Sequence, residues 1–202
     1  MNRRSRSRRD KISYKVNEIQ NFLTPEECDL IIQIATLKGL SASEVFELGA
    51  TESETIDINH RNSETVWLVK NNDIVERIAK RISELTNTSI DLQEDMQCVH
   101  YNPGGIFKEH HDAYTDEELV EIIGQGDRQR YSTFLIYLND GYTGGETLFP
   151  RIRKKIVPEK GKAIYFKNID AKNVIIPESL HVGSRVKTGE KWVANIWIGV
   201  DV

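Results

Sequence analysis

The chain has 202 residues, of which 39% are hydrophobic and three are tryptophan, and its formal charge is −4. That suits one sizeable domain with its own core, is too short for two, and is too apolar for a disordered chain. Five arginines fall within residues 1–9, leaving 22 basic against 31 acidic residues elsewhere, which argues against nucleic acid as the main partner of the folded body. The tip, residues 1–15, reads as a flexible solvated tail, with RNA, an anionic surface or an acidic protein as alternative contacts. No apolar run approaches the ~20 residues of a membrane span, and no signal-peptide core follows the arginines. The expectation is a soluble chain, cytoplasmic by default. Thr24-Pro25-Glu26-Glu27 forms a capping box with proline in the first turn. It predicts a helix with Leu30, Ile31, Ile34 and Ala35 inward and Gly39 as its stop. Arg61-Asn62-Ser63 leads into a strand at Thr65–Leu68, and a second helix is expected over Asp73–Thr86, burying Ile74, Ile78, Ile82 and Leu85.

After residue 90 the pattern changes. Short β-like runs occur at 95–101, 131–138, 145–149, 162–166, 174–176, 180–186 and 191–200, separated by Gly, Pro, Asn and Asp. Many short strands without intervening helices predict an α+β chain that is mainly β, a sandwich or jelly roll. Residues 113–129 interrupt them with an acidic stretch, which reads either as a lid or substrate-binding element or as a solvated insertion with a short helix. Gly144-Gly145-Glu146-Thr147 reads as a turn or bulge entering a strand. Cys28 and Cys98 lack metal or redox spacing and read as free thiols, with a single bridge between them as the alternative.

The chemistry concentrates in His110-His111-Asp112, in His181, 69 residues beyond Asp112, and in Lys191, ten further on. On extended backbone, residues i and i+2 point the same way, so His110 and Asp112 can share an ion while His111 points elsewhere. Two imidazoles and one carboxylate can occupy one face of iron(II) and leave three positions open. Zinc accepts the same ligand types. A turn at Lys187–Glu190 returns the chain as a strand expected to lie beside the one carrying His181. By parity Lys191, Val193, Asn195 and Trp197 share one face of it, and Thr133 shares a face with Tyr131, Leu135 and Tyr137. A buried lysine needs an anion, and a carboxylate-bearing ligand would supply it; the other reading is an exposed hairpin lysine.

These residues together resemble the procollagen-type prolyl 4-hydroxylases of the iron- and 2-oxoglutarate-dependent dioxygenases. The matching pieces run from Phe22-Leu23-Thr24-Pro25 through Arg61-Asn62-Ser63, Tyr101–Asp112, Thr133–Leu138, Gly144–Pro150 and Pro158–Ala163 to His181–Trp197. They cover nearly everything from residue 16 onward. The resemblance implies a single catalytic domain over 16–202, with N-terminal helices flanking a double-stranded β-helix. It implies His110, Asp112 and His181 as iron(II) ligands, and Lys191 on the distal carboxylate of 2-oxoglutarate with Tyr101 and Thr133 assisting. Trp197 would lie near the co-substrate or peptide. The implied reaction adds oxygen from O2 to C4 of a proline in proline-rich or collagen-like peptides, releasing succinate and CO2, with ascorbate in support. Phe107 stands where the family often has tyrosine, and Arg185-Val186 where it often has Pro-Val, so the peptide groove is where this chain departs. Arg61 and Arg128 are candidate groove residues, with structural ion pairs as their alternative role. The partner expected is a proline-containing peptide bound by a monomer. The competing readings are the same chemistry on another residue or on a specific protein target, a non-catalytic 2-oxoglutarate- or protein-binding module, and zinc hydrolysis.

Overall fold

A computed structural model describes residues 14–45, 57–124 and 126–201. The arginine-rich tip up to residue 13 lies outside the described residues. Tyr14, assigned to the tip from sequence, is held: its hydroxyl donates to the Lys167 carbonyl at 2.7 Å. In chain order the elements are β1 (Val16–Ile19), α1 (Pro25–Lys38), β2 (Ser41–Ala42), β3 (Arg61–Asn62), β4 (Glu64–Leu68), α2 (Asp73–Thr86), β5 (Met96–Tyr101) and β6 (Ile106–His110). There follow α3 (Asp116–Gly124), β7 (Gln129–Tyr137), β8 (Thr143–Gly144), β9 (Thr147–Phe149), β10 (Lys154–Ile156), β11 (Ala163–Lys167), β12 (His181–Gly183), β13 (Val186–Thr188) and β14 (Lys191–Val200).

The strands form a seven-stranded sheet, β1-β11-β7-β14-β5-β4-β2, a five-stranded sheet, β10-β9-β12-β6-β3, and the pair β13-β8, with antiparallel pairing throughout. Two hydrophobic layers explain the arrangement. On the outer face of the large sheet, Phe134, Ile136, Ala194 and Ile196 meet Ile31 and Ala35 of α1 and Ile74, Ile78 and Ile82 of α2. Its inner face sends Val99, Leu135, Tyr137, Phe166 and Val193 against Phe149 and Ile156 of the small sheet. The central strands β5, β7, β11 and β14 therefore carry apolar residues on both sides, the pattern of a central layer.

The capping box at Thr24 forms in both directions, and Gly39 ends α1 with φ +85°. Two details of the helical reading need correction. The buried stripe of α1 is Cys28, Ile31 and Ala35, while Leu30 is 39% exposed, and on α2 Leu85 is 56% exposed. Each helix lies on a sheet and buries a narrower face than its apolar residues would allow. Segment 174–176 makes only an isolated bridge, Ile169↔Ile175. The run 180–186 divides, because the chain leaves the small sheet after Gly183 and re-pairs as β13 with β8. As a result β14 does not neighbour β12; it lies between β7 and β5 in the opposite sheet. Cys28 and Cys98 are free and buried, and burial raises both thiols, to about 11 and about 12.

Candidate active site

The small sheet carries two of the three residues that could hold a metal ion. His181 of β12 is the direct cross-strand partner of His110 in β6, which brings the rings to 4.2 Å between centroids. Asp112, two residues past the end of β6, reaches between them, with Oδ1 3.6 Å from His110 Nε2 and Oδ2 3.7 Å from His181 Nε2. One ligand atom from each residue lies within 4.8 Å of the others. Both imidazoles are oriented from behind. His110 Nδ1 donates to the Lys108 carbonyl at 2.7 Å and His181 Nδ1 to the Ser179 carbonyl at 2.9 Å, so each Nε2 presents its lone pair to a common point. Burial, and then the neighbouring His181, hold His110 well below the usual imidazole value, which favours the neutral form that can ligate. Burial raises the Asp112 carboxyl, but His181 and His110 outweigh it and bring it down to about 2. His111 points away and donates to Ser179 Oγ at 2.9 Å.

Thr133 sits elsewhere than the family resemblance implies. Its hydroxyl donates to Asp112 Oδ2 and accepts from Asn168 Nδ2 at 2.9 Å, so in this structure it orients the metal-facing carboxylate and does not open into the recess beside Lys191. Register separates the two: Thr133 pairs with Trp197 toward the end of β14, whereas Lys191 pairs with Tyr101 at its start.

Lys191 projects from the large sheet into a recess also lined by Tyr101, Thr147, Val193, Asn195, Trp197 and the metal ligands. It is 3% exposed. Burial lowers its ammonium to about 8, with Glu146 opposing. Glu146 is already committed, to Lys155 at 2.6 Å and Ser184 at 2.7 Å. Among the described residues no carboxylate pairs with Lys191, and the Tyr101 ring centroid lies 5.0 Å from its Nζ. A buried cation in that condition calls for an anionic ligand. Tyr137, whose hydroxyl donates to Thr147 Oγ1 at 2.7 Å, was placed by sequence on the face of Thr133 and Leu135 but given no role.

Outside the recess lies a cavity of about 640 Å³ that shares Phe107, His110, Asp112 and Trp197 with it. Phe107 stacks on His110 at 3.5 Å and 12°, and Arg61 covers its other face at 4.6 Å. Arg61 lines the cavity, held by Ser63 Oγ, the Glu44 carbonyl, Thr65 and Gln97. Arg128 does not line it. Arg128 bonds Asp201 at 2.7 Å and the Asp91 carbonyl at 3.2 Å on the surface. The cavity arginine is Arg130, two residues along β7. It pairs with Glu94 at 2.6 and 2.8 Å and lies 3.6 Å over Trp197 and 4.9 Å over Tyr114. Arg128 precedes β7, and the register between β7 and β14 shifts at Ile198/Gly199, next to Arg130. Segment 113–129 contains α3, and Tyr114, Thr115 and Glu118 from it line the cavity. Its start was legible, since Thr115 and Glu118 form a capping box.

Comparison with known proteins fits this geometry. Residues 96–199 match the family model of the 2OG-Fe(II) oxygenase superfamily. The chain is 39% identical over 182 residues to a prolyl 4-hydroxylase-like protein of Acanthamoeba polyphaga mimivirus, covering 89% of this chain and 72% of that one. It is 32% identical over 201 residues to prolyl 4-hydroxylase 5 of Arabidopsis thaliana, covering 89% and 66%. Among solved structures it is similar to the viral collagen prolyl hydroxylase of Paramecium bursaria Chlorella virus-1 in complex with 2OG, with TM-score 0.71, 32% identity and 91% and 94% of the two chains covered.

Proposed function

The chain belongs to the prolyl 4-hydroxylases of the 2OG-Fe(II) oxygenase superfamily, and on that premise we propose how its own residues divide the work. The protein is an enzyme, an iron(II)- and 2-oxoglutarate-dependent hydroxylase of proline. We assign the iron to His110, Asp112 and His181, whose donor set and exposed Nε2 lone pairs suit it. Lys191 takes the distal carboxylate of 2-oxoglutarate, and its burial without a counter-ion among the described residues is the observation that carries the reading. A zinc hydrolase would have no use for that lysine, and a non-catalytic module would not need a complete ligand set.

Bound together, iron(II), 2-oxoglutarate and O2 supply the oxidising chemistry, in which one oxygen atom enters succinate and the other a C–H bond of proline as CO2 leaves. The protein's share is placement and exclusion of water. Thr133 and Asn168 fix the Asp112 carboxylate. Phe107 stacks on His110 and Arg61 packs on Phe107, so the two hold that imidazole in place at the cavity wall. Trp197, whose indole N–H is buried without a partner, stands between recess and cavity, at the junction of co-substrate and peptide. The aromatic lining of Trp67, Tyr114, Phe107 and Trp197 suits a proline-rich or collagen-like segment, with C4 of the target proline presented to the metal. The two facing sheets are read as the halves of a double-stranded β-helix, and residues from 16 onward as one catalytic domain. All these groups come from one chain, which supports action as a monomer. No helix among the described residues is long and apolar enough to cross a membrane, and a soluble protein is our reading.

The test is mass spectrometry of proline-rich and collagen-like peptides after incubation with iron(II), 2-oxoglutarate and ascorbate, with succinate measured in parallel. A gain of one oxygen on proline, absent in His110→Ala and His181→Ala, is expected. Succinate without peptide oxidation would redirect the search to another residue or protein target.

A further inference from the structure

A second unsatisfied group lies beside Lys191. The Tyr142 hydroxyl is buried and has no hydrogen-bond partner, an unusual condition for a phenol. Its ring is wedged between two turns. A Cβ on Gly189 would fall 3.1 Å from Tyr142 Cβ, and a Cβ on Gly145 would fall 2.8 Å from Tyr142 Cε2 and 3.1 Å from Lys191 Cδ. The far edge of the tyrosine and the stem of the lysine therefore pack over the same glycine. Gly145, with φ +68°, admits both because it has no side chain.

The loop that carries Tyr142 is also locked to Lys191. Asn139 Nδ2 donates to the Glu190 carbonyl at 2.8 Å, and Asn139 Oδ1 accepts from the Trp192 amide at 2.8 Å. One side chain thus grips the backbone on either side of Lys191 and holds the 139–142 turn in register with it. The hydroxyl's neighbours offer no satisfaction. Tyr137 already donates to Thr147, and Glu146 is taken by Lys155 and Ser184. A buried ammonium without an anion and a buried hydroxyl without an acceptor thus belong to two side chains packed over one glycine, and a single carboxylate reached by both would complete them.

We propose that Tyr142 is a binding residue for 2-oxoglutarate, donating its hydroxyl to the distal carboxylate that Lys191 pairs with. The assignment rests on the function proposed above and adds to it a donor outside the metal triad and the lysine. It also accounts for a tyrosine in a turn where a small polar residue would otherwise serve.

The experiment compares wild type with Tyr142→Phe, both loaded with manganese(II) as an inert substitute for iron. Calorimetric titration with 2-oxoglutarate is run beside 2-oxobutyrate, which keeps the keto acid and lacks the distal carboxylate. Loss of a charge-assisted hydrogen bond predicts roughly tenfold weaker 2-oxoglutarate binding in Tyr142→Phe, with 2-oxobutyrate binding unchanged. The ligand-free variant should melt at the same temperature as wild type or higher, because the removed hydroxyl has no partner to lose. Its rise in melting temperature on adding 2-oxoglutarate should be smaller. Equal 2-oxoglutarate affinity in the two proteins would overturn the assignment while leaving the proposed function intact. So would a variant that melts lower without ligand, which would mark the hydroxyl as structural. Wild type that fails to bind 2-oxoglutarate would instead overturn the functional reading and this one together.

Discussion

Thr133 shows how much chemistry rests on a hydroxyl that never faces solvent. It is 1% exposed, and its proton is committed to Asp112 while Asn168 donates to its oxygen. Thr133→Val keeps the shape and removes the orienting bond. The expected result is metal affinity weakened roughly 10–100-fold with the fold retained, read by manganese(II) titration beside circular dichroism; unchanged affinity would dismiss the positioning role. Lys191 makes a pH prediction whose sign follows from its environment. Burial holds its ammonium at about 8, below the ordinary 10.5, so the unfolded chain binds the extra proton between those values. Stability of the ligand-free protein should therefore rise as pH increases through that window. Affinity for 2-oxoglutarate should fall over the same range, because the carboxylate needs the protonated amine. Lys191→Met should flatten both trends in denaturation and titration series.

Between elements, the Arg130–Glu94 pair ties β7 to the segment leading into β5 and seats a guanidinium on Trp197 of β14. The Glu94 amide also donates to the Trp197 carbonyl at 2.9 Å, so three chain segments meet at one ion pair beside the cavity. Arg130 is raised above its usual value despite burial, because Glu94 outweighs the desolvation. Glu94→Gln should cost roughly 3 kcal/mol, the low end for breaking a buried pair, since Glu94 retains 30% exposure. Urea denaturation measures the loss. A raised KM for peptide with unchanged affinity for 2-oxoglutarate would show that Arg130 holds Trp197 for the cavity rather than for the recess.

The whole molecule depends on the large sheet being covered on both faces. Phe134 is fully buried on its outer side, 4.7 Å from Phe22 and 6.1 Å from Tyr165 between ring centroids. Phe134→Ala should destabilise the protein by about 3–5 kcal/mol, visible as a lowered denaturation midpoint. Its neighbour in sequence, Thr133, faces the other way and orients Asp112, the carboxylate we assign to the metal. One strand therefore links core packing to site geometry. A variant that loosened the helical layer would be expected to weaken metal binding as well, and the same Phe134→Ala protein, titrated with manganese(II), would show whether it does.

Local chemistry was legible in the chain itself. Thr24 with Glu27 and Asp73–Thr86 predicted both long helices because capping and 3.6-residue periodicity act over one or two turns. The face of β14 carrying Lys191, Val193, Asn195 and Trp197 followed from alternation alone, as did the shared direction of His110 and Asp112. What sequence could not decide was which strands lie side by side. The Lys187–Glu190 turn suggested that Lys191 adjoins the strand of His181, yet they occupy opposite sheets and meet only across the recess. The orientation of Thr133, the exchange of Arg128 for Arg130 and the packing of Tyr142 and Lys191 over Gly145 all depend on that choice. Periodicity encodes a residue's side of its own strand. Its partners across the interior are set by non-local pairing and by burial of whole layers, and these exist only once the sheets have packed.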